Sequence, residues 1–180
     1  MAASIPARAP VAPTTRWHVT VDSPLGLLTL VATAGSLTGL HVNAPRHGPA
    51  VAALGAPGDS TAAPFAAAAL QLTAYFAGEL TSFDLPLEPE GTPFQREVWA
   101  ALRGVPYGQT TTYGQLADRL CRPGASRAVG LANARNPIFI MVPCHRLIGA
   151  DGRLRGYGSG IARKQFLLDL ERQRTAESPQ

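Results

Sequence analysis

Cysteine is nearly missing from this chain: Cys121 and Cys144 are the two among 180 residues. Two thiols cannot build a multi-bridge scaffold, and they cannot supply a cysteine-rich zinc site. Lysine is scarcer still, since Lys164 stands alone among 16 Lys+Arg residues. No apolar run approaches the roughly 20 residues that a membrane-spanning helix needs, so no membrane role is expected. Charged residues make up 16% and hydrophobic ones 46%, an ordinary globular balance that excludes wholesale disorder. Met1 to Thr15 lacks the charged-then-apolar order of a signal peptide. It reads as a flexible tail of a cytoplasmic protein whose two thiols are free.

What charge there is sits unevenly. Residues 1–90 hold 3 Lys+Arg and 6 Asp+Glu, whereas residues 91–180 hold 13 and 6, so the C-terminal half carries +7. Arginine grips phosphate bidentately and stacks on bases. A basic half-chain therefore points to a polyanionic partner, although GC-rich coding also enriches arginine.

The patterning divides the chain in two. Trp17–Asp22, Leu27–Thr33 and Ser36–Val42 are short strand-like runs separated by turn residues, which predicts an antiparallel meander. Asn43 to Pro64 reads as loop. Phe65–Phe76 predicts a helix stopped by Gly78. Thr81 to Gly91 is a connector with two prolines. Thr92-Pro93-Phe94-Gln95 and Thr112-Tyr113-Gly114-Gln115 are capping boxes that open helices. A further helix is predicted over Ser126–Ala134, closed by Asn136-Pro137. The two helices around Arg122-Pro123-Gly124 form a helix-turn-helix pattern. Ile138–Val142 is a buried apolar run leading to Cys144, Leu147-Ile148 is strand-like, Gly149–Gly160 is a glycine-rich loop, and Ile161–Glu171 predicts a last amphipathic helix. The expected organisation is a tail (1–15), a small α/β domain (16–90), a mostly helical domain (91–172) and a second tail (173–180).

Cys121 reads as a small buried hydrophobe. Cys144 differs, because it follows a proline and precedes His145 and Arg146, which are expected to lower its thiol pKa. Adjacency alone does not make a nucleophile, since neighbouring side chains often point apart.

The segment Pro143-Cys144-His145-Arg146-Leu147, with Asn136-Pro137 before it, resembles the active-site pattern of the O6-alkylguanine-DNA alkyltransferases, or methylated-DNA–protein-cysteine methyltransferases. Val105-Pro106-Tyr107-Gly108, Thr112 to Ala117, Ser126-Arg127-Ala128-Val129-Gly130, Gly156 to Gly160 and Phe166 to Glu171 extend the likeness over residues 92–172. The resemblance implies a ribonuclease-H-like N-terminal part, with a three-stranded antiparallel sheet and a helix, and a C-terminal part carrying the helix-turn-helix. It implies single-turnover repair of double-stranded DNA, in which the alkyl group of O6-alkylguanine, and less efficiently O4-alkylthymine, moves irreversibly to Cys144. By the same resemblance His145 is the base, acting through a water, and Glu171 orients it. Tyr113 donates to the leaving guanine. Asn136 pins the turn before the cysteine strand. Tyr157, Gly158, Ser159 and Leu147 line the base pocket. Ser126, Arg127, Ala128 and Gly130 enter the minor groove, with Arg127 filling the gap left by the flipped base and Tyr113, also DNA-binding near the target phosphate, assisting the rotation.

No cofactor is implied and the protein is expected to act as a monomer. Some members bind zinc through the N-terminal part. Here that half has His18, His41 and His47 but no cysteine, so no metal is expected. A non-repairing base-recognition protein, a transcriptional regulator and a Cys-His hydrolase are the alternatives. The first is disfavoured by the presence of Cys144, the second requires sequence-specific binding without a covalent product, and the third requires turnover.

Overall fold

The computed structural model describes residues 15–42 and 54–177. Apart from Thr15, the tail expected over 1–15 lies outside the described residues. Strands β1 (Arg16–Val21), β2 (Leu28–Thr33) and β3 (Ser36–Val42) form the antiparallel meander that the turn residues predict. The β2–β3 turn has positive φ at both Ala34 (50°) and Gly35 (83°), the pairing a two-residue hairpin requires. The sheet has a fourth member: β4 (Ala56–Pro57) adds parallel to β1, giving the order β3-β2-β1-β4. Two residues inside a Pro- and Gly-rich stretch carry no strand signal of their own, so the sequence reads them as loop.

Helix α1 (Phe65–Ala77) packs Phe65, Ala68, Leu72 and Tyr75 inward and ends on left-handed Gly78. Helices α2 (Pro93–Arg103) and α3 (Tyr113–Arg119) open with the expected capping boxes, formed by Thr92 with Gln95 and Thr112 with Gln115. Helix α4 (Ser126–Ala134) packs on both, and Trp99 Nε1 donates to Ala132 O at 2.9 Å to fasten it to α2. Helix α5 runs Ile161–Glu177, six residues beyond the predicted end at Glu171. Its last turns are exposed and polar, so they carry no apolar periodicity from which the continuation could be read.

Of two further expectations, one holds and one is corrected. Ile138–Val142 is buried but is not a strand. Met141 N bonds to Phe139 O at 2.7 Å and Val142 N to Ile138 O at 3.0 Å, which folds the segment into tight turns with Ile140 at φ 68°. A β-branched residue in the left-handed region costs about 1–3 kcal/mol and needs outside support. Cys121 is exposed, with φ 55°. It occupies the left-handed stop after α3, where the side chain leaves the helix whatever its polarity.

The two halves share one apolar core. Leu30, Leu37 and Leu40 of the sheet and Val98, Trp99 and Leu102 of α2 lie in the same cluster. The β3 edge is covered, because Leu37 bonds to the connector at Pro86 and Glu88, and Leu40 bonds to Pro137 and Phe139. Covering that edge with the connector and with chain from the second half removes an open strand template and sets the segment before Cys144 against the sheet.

Candidate active site

A short parallel pair brings the site together. Strands β5 (Thr111–Thr112) and β6 (Leu147–Ile148) align Thr111 with Leu147 and Thr112 with Ile148. The pairing places Tyr113, the first residue of α3, beside the 3₁₀ turn Cys144–Arg146 that precedes β6. Asn136 supports the approach to that turn. Its Nδ2 donates to Val142 O at 2.9 Å and its Oδ1 accepts from Ile138 N at 3.0 Å, holding the bent segment around Ile140.

Helix α5 folds back over the turn and buries Glu171, whose carboxylate gathers five donors. Oε1 accepts from His145 Nε2 at 2.8 Å, Arg146 Nη2 at 2.9 Å and Tyr75 Oη at 2.7 Å. Oε2 accepts from Arg146 Nε at 2.9 Å and from the Gly108 amide at 3.0 Å. Burial alone would raise the pKa of Glu171, but the hydrogen bonds from His145 and Arg146 and the charge of Arg146 outweigh it and hold the carboxyl at about 2. Gly108 has φ 74°, and a Cβ there would run into Thr175 of α5, so the amide reaches the carboxylate only from a glycine.

His145 is fully buried and its pKa is lowered, chiefly by desolvation. With Nε2 donating to Glu171, the neutral ring keeps its lone pair on Nδ1, which is buried and has no hydrogen-bond partner among the described residues. That is the protonation state of a base.

Cys144 is 1% exposed and burial pushes its thiol up to about 11, against lowering contributions from the side chains of Asn136 and Tyr157 and from the charge of Lys164. The expectation that flanking His145 and Arg146 depress it is therefore corrected. His145 is uncharged, and the Arg146 guanidinium is spent on Glu171 and on Val105 O at 2.6 Å. The cation near the sulfur is instead Lys164, wholly buried, with Nζ donating to Leu147 O at 2.5 Å and Arg155 O at 3.0 Å. No carboxylate pairs with it in the described residues, and its pKa falls to about 8.

A cleft of about 500 Å³ adjoins the sulfur's neighbours and is lined by His41, Asn136, Phe139, Tyr157, Gly158 and Ser159, among others. Phe139 stacks on Tyr157 with centroids 5.8 Å apart. Tyr113 donates to Arg155 O at 3.2 Å, and burial keeps its phenol protonated. Leu147, expected in the pocket, is fully buried in β6 and does not line this cleft. On α4, Arg127 and Ala128 are exposed, Ser126 and Gly130 are half-buried, and the ring of Tyr113 lies over Gly130.

The structure thus brings Cys144, His145, Glu171, Asn136, Tyr113 and Tyr157 into one cluster, with α4 outside it. The sequence reading missed Tyr75, Lys164 and Gly108. Lys164 had a signal: it is the single place where a chain otherwise served by arginine uses lysine.

Comparison with known proteins agrees with this arrangement. Residues 93–173 match the DNA-binding domain of 6-O-methylguanine DNA methyltransferase, and residues 16–89 match its ribonuclease-like domain. The chain is 52% identical over 159 residues to a methylated-DNA–protein-cysteine methyltransferase of Mycolicibacterium paratuberculosis, covering 88% of this chain and 94% of that one. The crystal structure of Mycobacterium tuberculosis O6-methylguanine methyltransferase superposes with a TM-score of 0.82 at 49% identity, covering 92% and 96%. A structure of the Mycobacterium tuberculosis OGT in complex with DNA superposes with a TM-score of 0.81 at 50% identity, covering 88% and 94%. With both domains matched and the site residues gathered as described, the chain belongs to the methylated-DNA–protein-cysteine methyltransferase family.

Proposed function

We propose that this protein repairs DNA by moving an alkyl group from O6 of guanine onto Cys144, once per molecule. The observation that carries the assignment is the buried relay in which burial keeps His145 neutral and Glu171 takes its Nε2–H, leaving Nδ1 free, in the residue after a thiol that is protonated at neutral pH. Such a thiol reacts only if its proton is taken as substrate arrives. His145 accepts that proton and Lys164 steadies the sulfur's developing charge. The thiolate attacks the alkyl carbon, the carbon–oxygen bond breaks, and its electron pair passes into the guanine ring. Tyr113 donates to the ring and relieves the charge. The thioether left on Cys144 has no leaving group, so the site does not regenerate.

The target atom lies inside the duplex, so the base is turned out of the stack at a cost of a few kcal/mol. Exposed Arg127 on α4 fills its place, and the +7 half supplies phosphate affinity. Because Cys144 is buried behind Asn136 and Tyr157, the loop 155–160 moves aside as the base enters. O4-alkylthymine is accepted less efficiently, because its single ring fills less of the cleft. The protein acts as a monomer in the cell interior, where it reaches DNA.

Incubating the protein with methylated duplex and measuring its intact mass tests this reading. A gain of about 14 Da carried by the peptide containing Cys144 is expected. Cys144→Ala is expected to bind the duplex and gain nothing. Mass gain in that variant, or product in excess of protein, would refute the assignment.

A further inference from the structure

The relay contains a donor from the other domain. Tyr75 lies on α1 and is wholly buried, and its hydroxyl reaches Glu171 Oε1 at 2.7 Å across 96 positions of sequence. A buried ring that served only to fill the core would be equally served by phenylalanine, which has no hydroxyl to satisfy. The ring is already well packed: Phe83, Phe76 and Tyr107 surround it with centroids 5.3, 5.5 and 5.9 Å away. Its hydroxyl lands on the same oxygen that accepts from His145. An oxygen shared among three donors has less charge to offer each of them, and in a buried network that sharing is felt at full strength.

We propose that Tyr75 is a positioning residue of the reaction centre: its hydroxyl, donated to Glu171 Oε1 from the N-terminal domain, sets how strongly that carboxylate holds the imidazole of His145. The N-terminal domain is then a working part of the site. This rests on the reading of Cys144 as acceptor and His145 as its base. The charged and titratable groups facing His145 are Glu171 and Lys164 from α5 and Arg146 from its own turn, while Tyr75 from α1 and Tyr107 from the loop before β5 act on Glu171. Among the described residues, only Tyr75 and Arg146 share Oε1 with the imidazole, and Arg146 also anchors Oε2 and Val105.

Removing the hydroxyl concentrates carboxylate charge on the His145 N–H. That favours the imidazolium, so the acid limb of the transfer rate moves to higher pH. In the full chain, Tyr75→Phe is expected to raise the midpoint of that limb by about half a unit to one unit, slowing transfer about three- to tenfold on the limb. Affinity for unmodified duplex should stay the same. The His145 ring titration followed by nitrogen NMR should move equally in protein that has not reacted. Incorporating 3-fluorotyrosine at position 75, a stronger donor of nearly the same shape, should move the limb the opposite way, and it serves if the phenylalanine variant folds poorly. Superimposable pH profiles and ring titrations, with or without a drop in Tm, would overturn the proposal and leave Tyr75 a core residue. Absence of alkyl transfer in the unaltered protein would instead sink the reading beneath it.

Discussion

At the residue scale, the proposed nucleophile Cys144 and the proposed base His145 are both uncharged at neutral pH. A thiol near 11 beside a histidine with a lowered pKa resists adventitious oxidation and alkylation, which suits a protein that can react only once. The ammonium of Lys164 is the counterweight. It is buried without a carboxylate, and its pKa of about 8 places its own deprotonation just above neutrality. As pH rises through that value the sulfur loses its supporting charge. An alkaline shoulder near pH 8 is therefore expected in the single-turnover rate. Lys164→Met should lack the shoulder and should be slower at neutral pH by about tenfold, equivalent to one unit of thiol pKa. Stopped-flow measurements across pH check this, and an unchanged profile would show that the lysine only ties loop carbonyls.

Elements decide which of these residues meet. The capping box at Thr112 sets the start of α3, and the two-residue pairing of β5 with β6 fixes where that start lies relative to Cys144. Neither feature is large, yet together they put the phenol of Tyr113 beside the loop that covers the sulfur. Helix α4 has a different task. Its Arg127 is exposed, and under the proposed function that side chain meets the duplex. Arg127→Ala should slow repair of methylated duplex by at least tenfold, while leaving reaction with free O6-benzylguanine nearly unchanged. Parallel assays with the two substrates decide the matter, since equal loss in both would show that the arginine supports the fold and not base rotation. The buried apolar run before Cys144 forms no strand, for an instructive reason. Ile138–Val142 has the apolar, β-branched composition of a strand, but Asn136 turns its hydrogen-bonding capacity inward and bends it at Ile140.

Across the whole molecule, Glu171 is a structural centre, because it joins α5 to the Cys144–Arg146 turn, to the turn at Gly108 and to α1. Its carboxyl ionises at about 2 in the fold, against an ordinary 4.5. A depressed acid pKa contributes stability that is fully present above the ordinary value and is lost as pH falls through the folded one. Tm is therefore expected to drop as pH falls from 4.5 toward 2. Glu171→Gln, which strands the Arg146 charge, should cost about 3–5 kcal/mol at neutral pH, and its deficit relative to the unaltered protein should shrink over that acid range. Thermal unfolding of both proteins across pH is the check, and a deficit that stays constant would separate the carboxylate from acid stability.

The sequence by itself determined the local elements and the chemistry at hand. Turn residues set the hairpin at Ala34-Gly35, the capping boxes set two helix starts, and Pro143-Cys144-His145-Arg146 marked the family and the candidate nucleophile. Those are signals carried by residues within one or two turns of each other. Sequence could nominate Glu171 only by resemblance, and it had no means of nominating Tyr75, because nothing near either residue in the chain says what it will touch. The thiol's ionisation was decided by the tertiary structure, against the neighbours in sequence. Burial and hydrogen bonding depend on which groups close around an atom, and the groups around this sulfur and its carboxylate come from four separate segments of the chain.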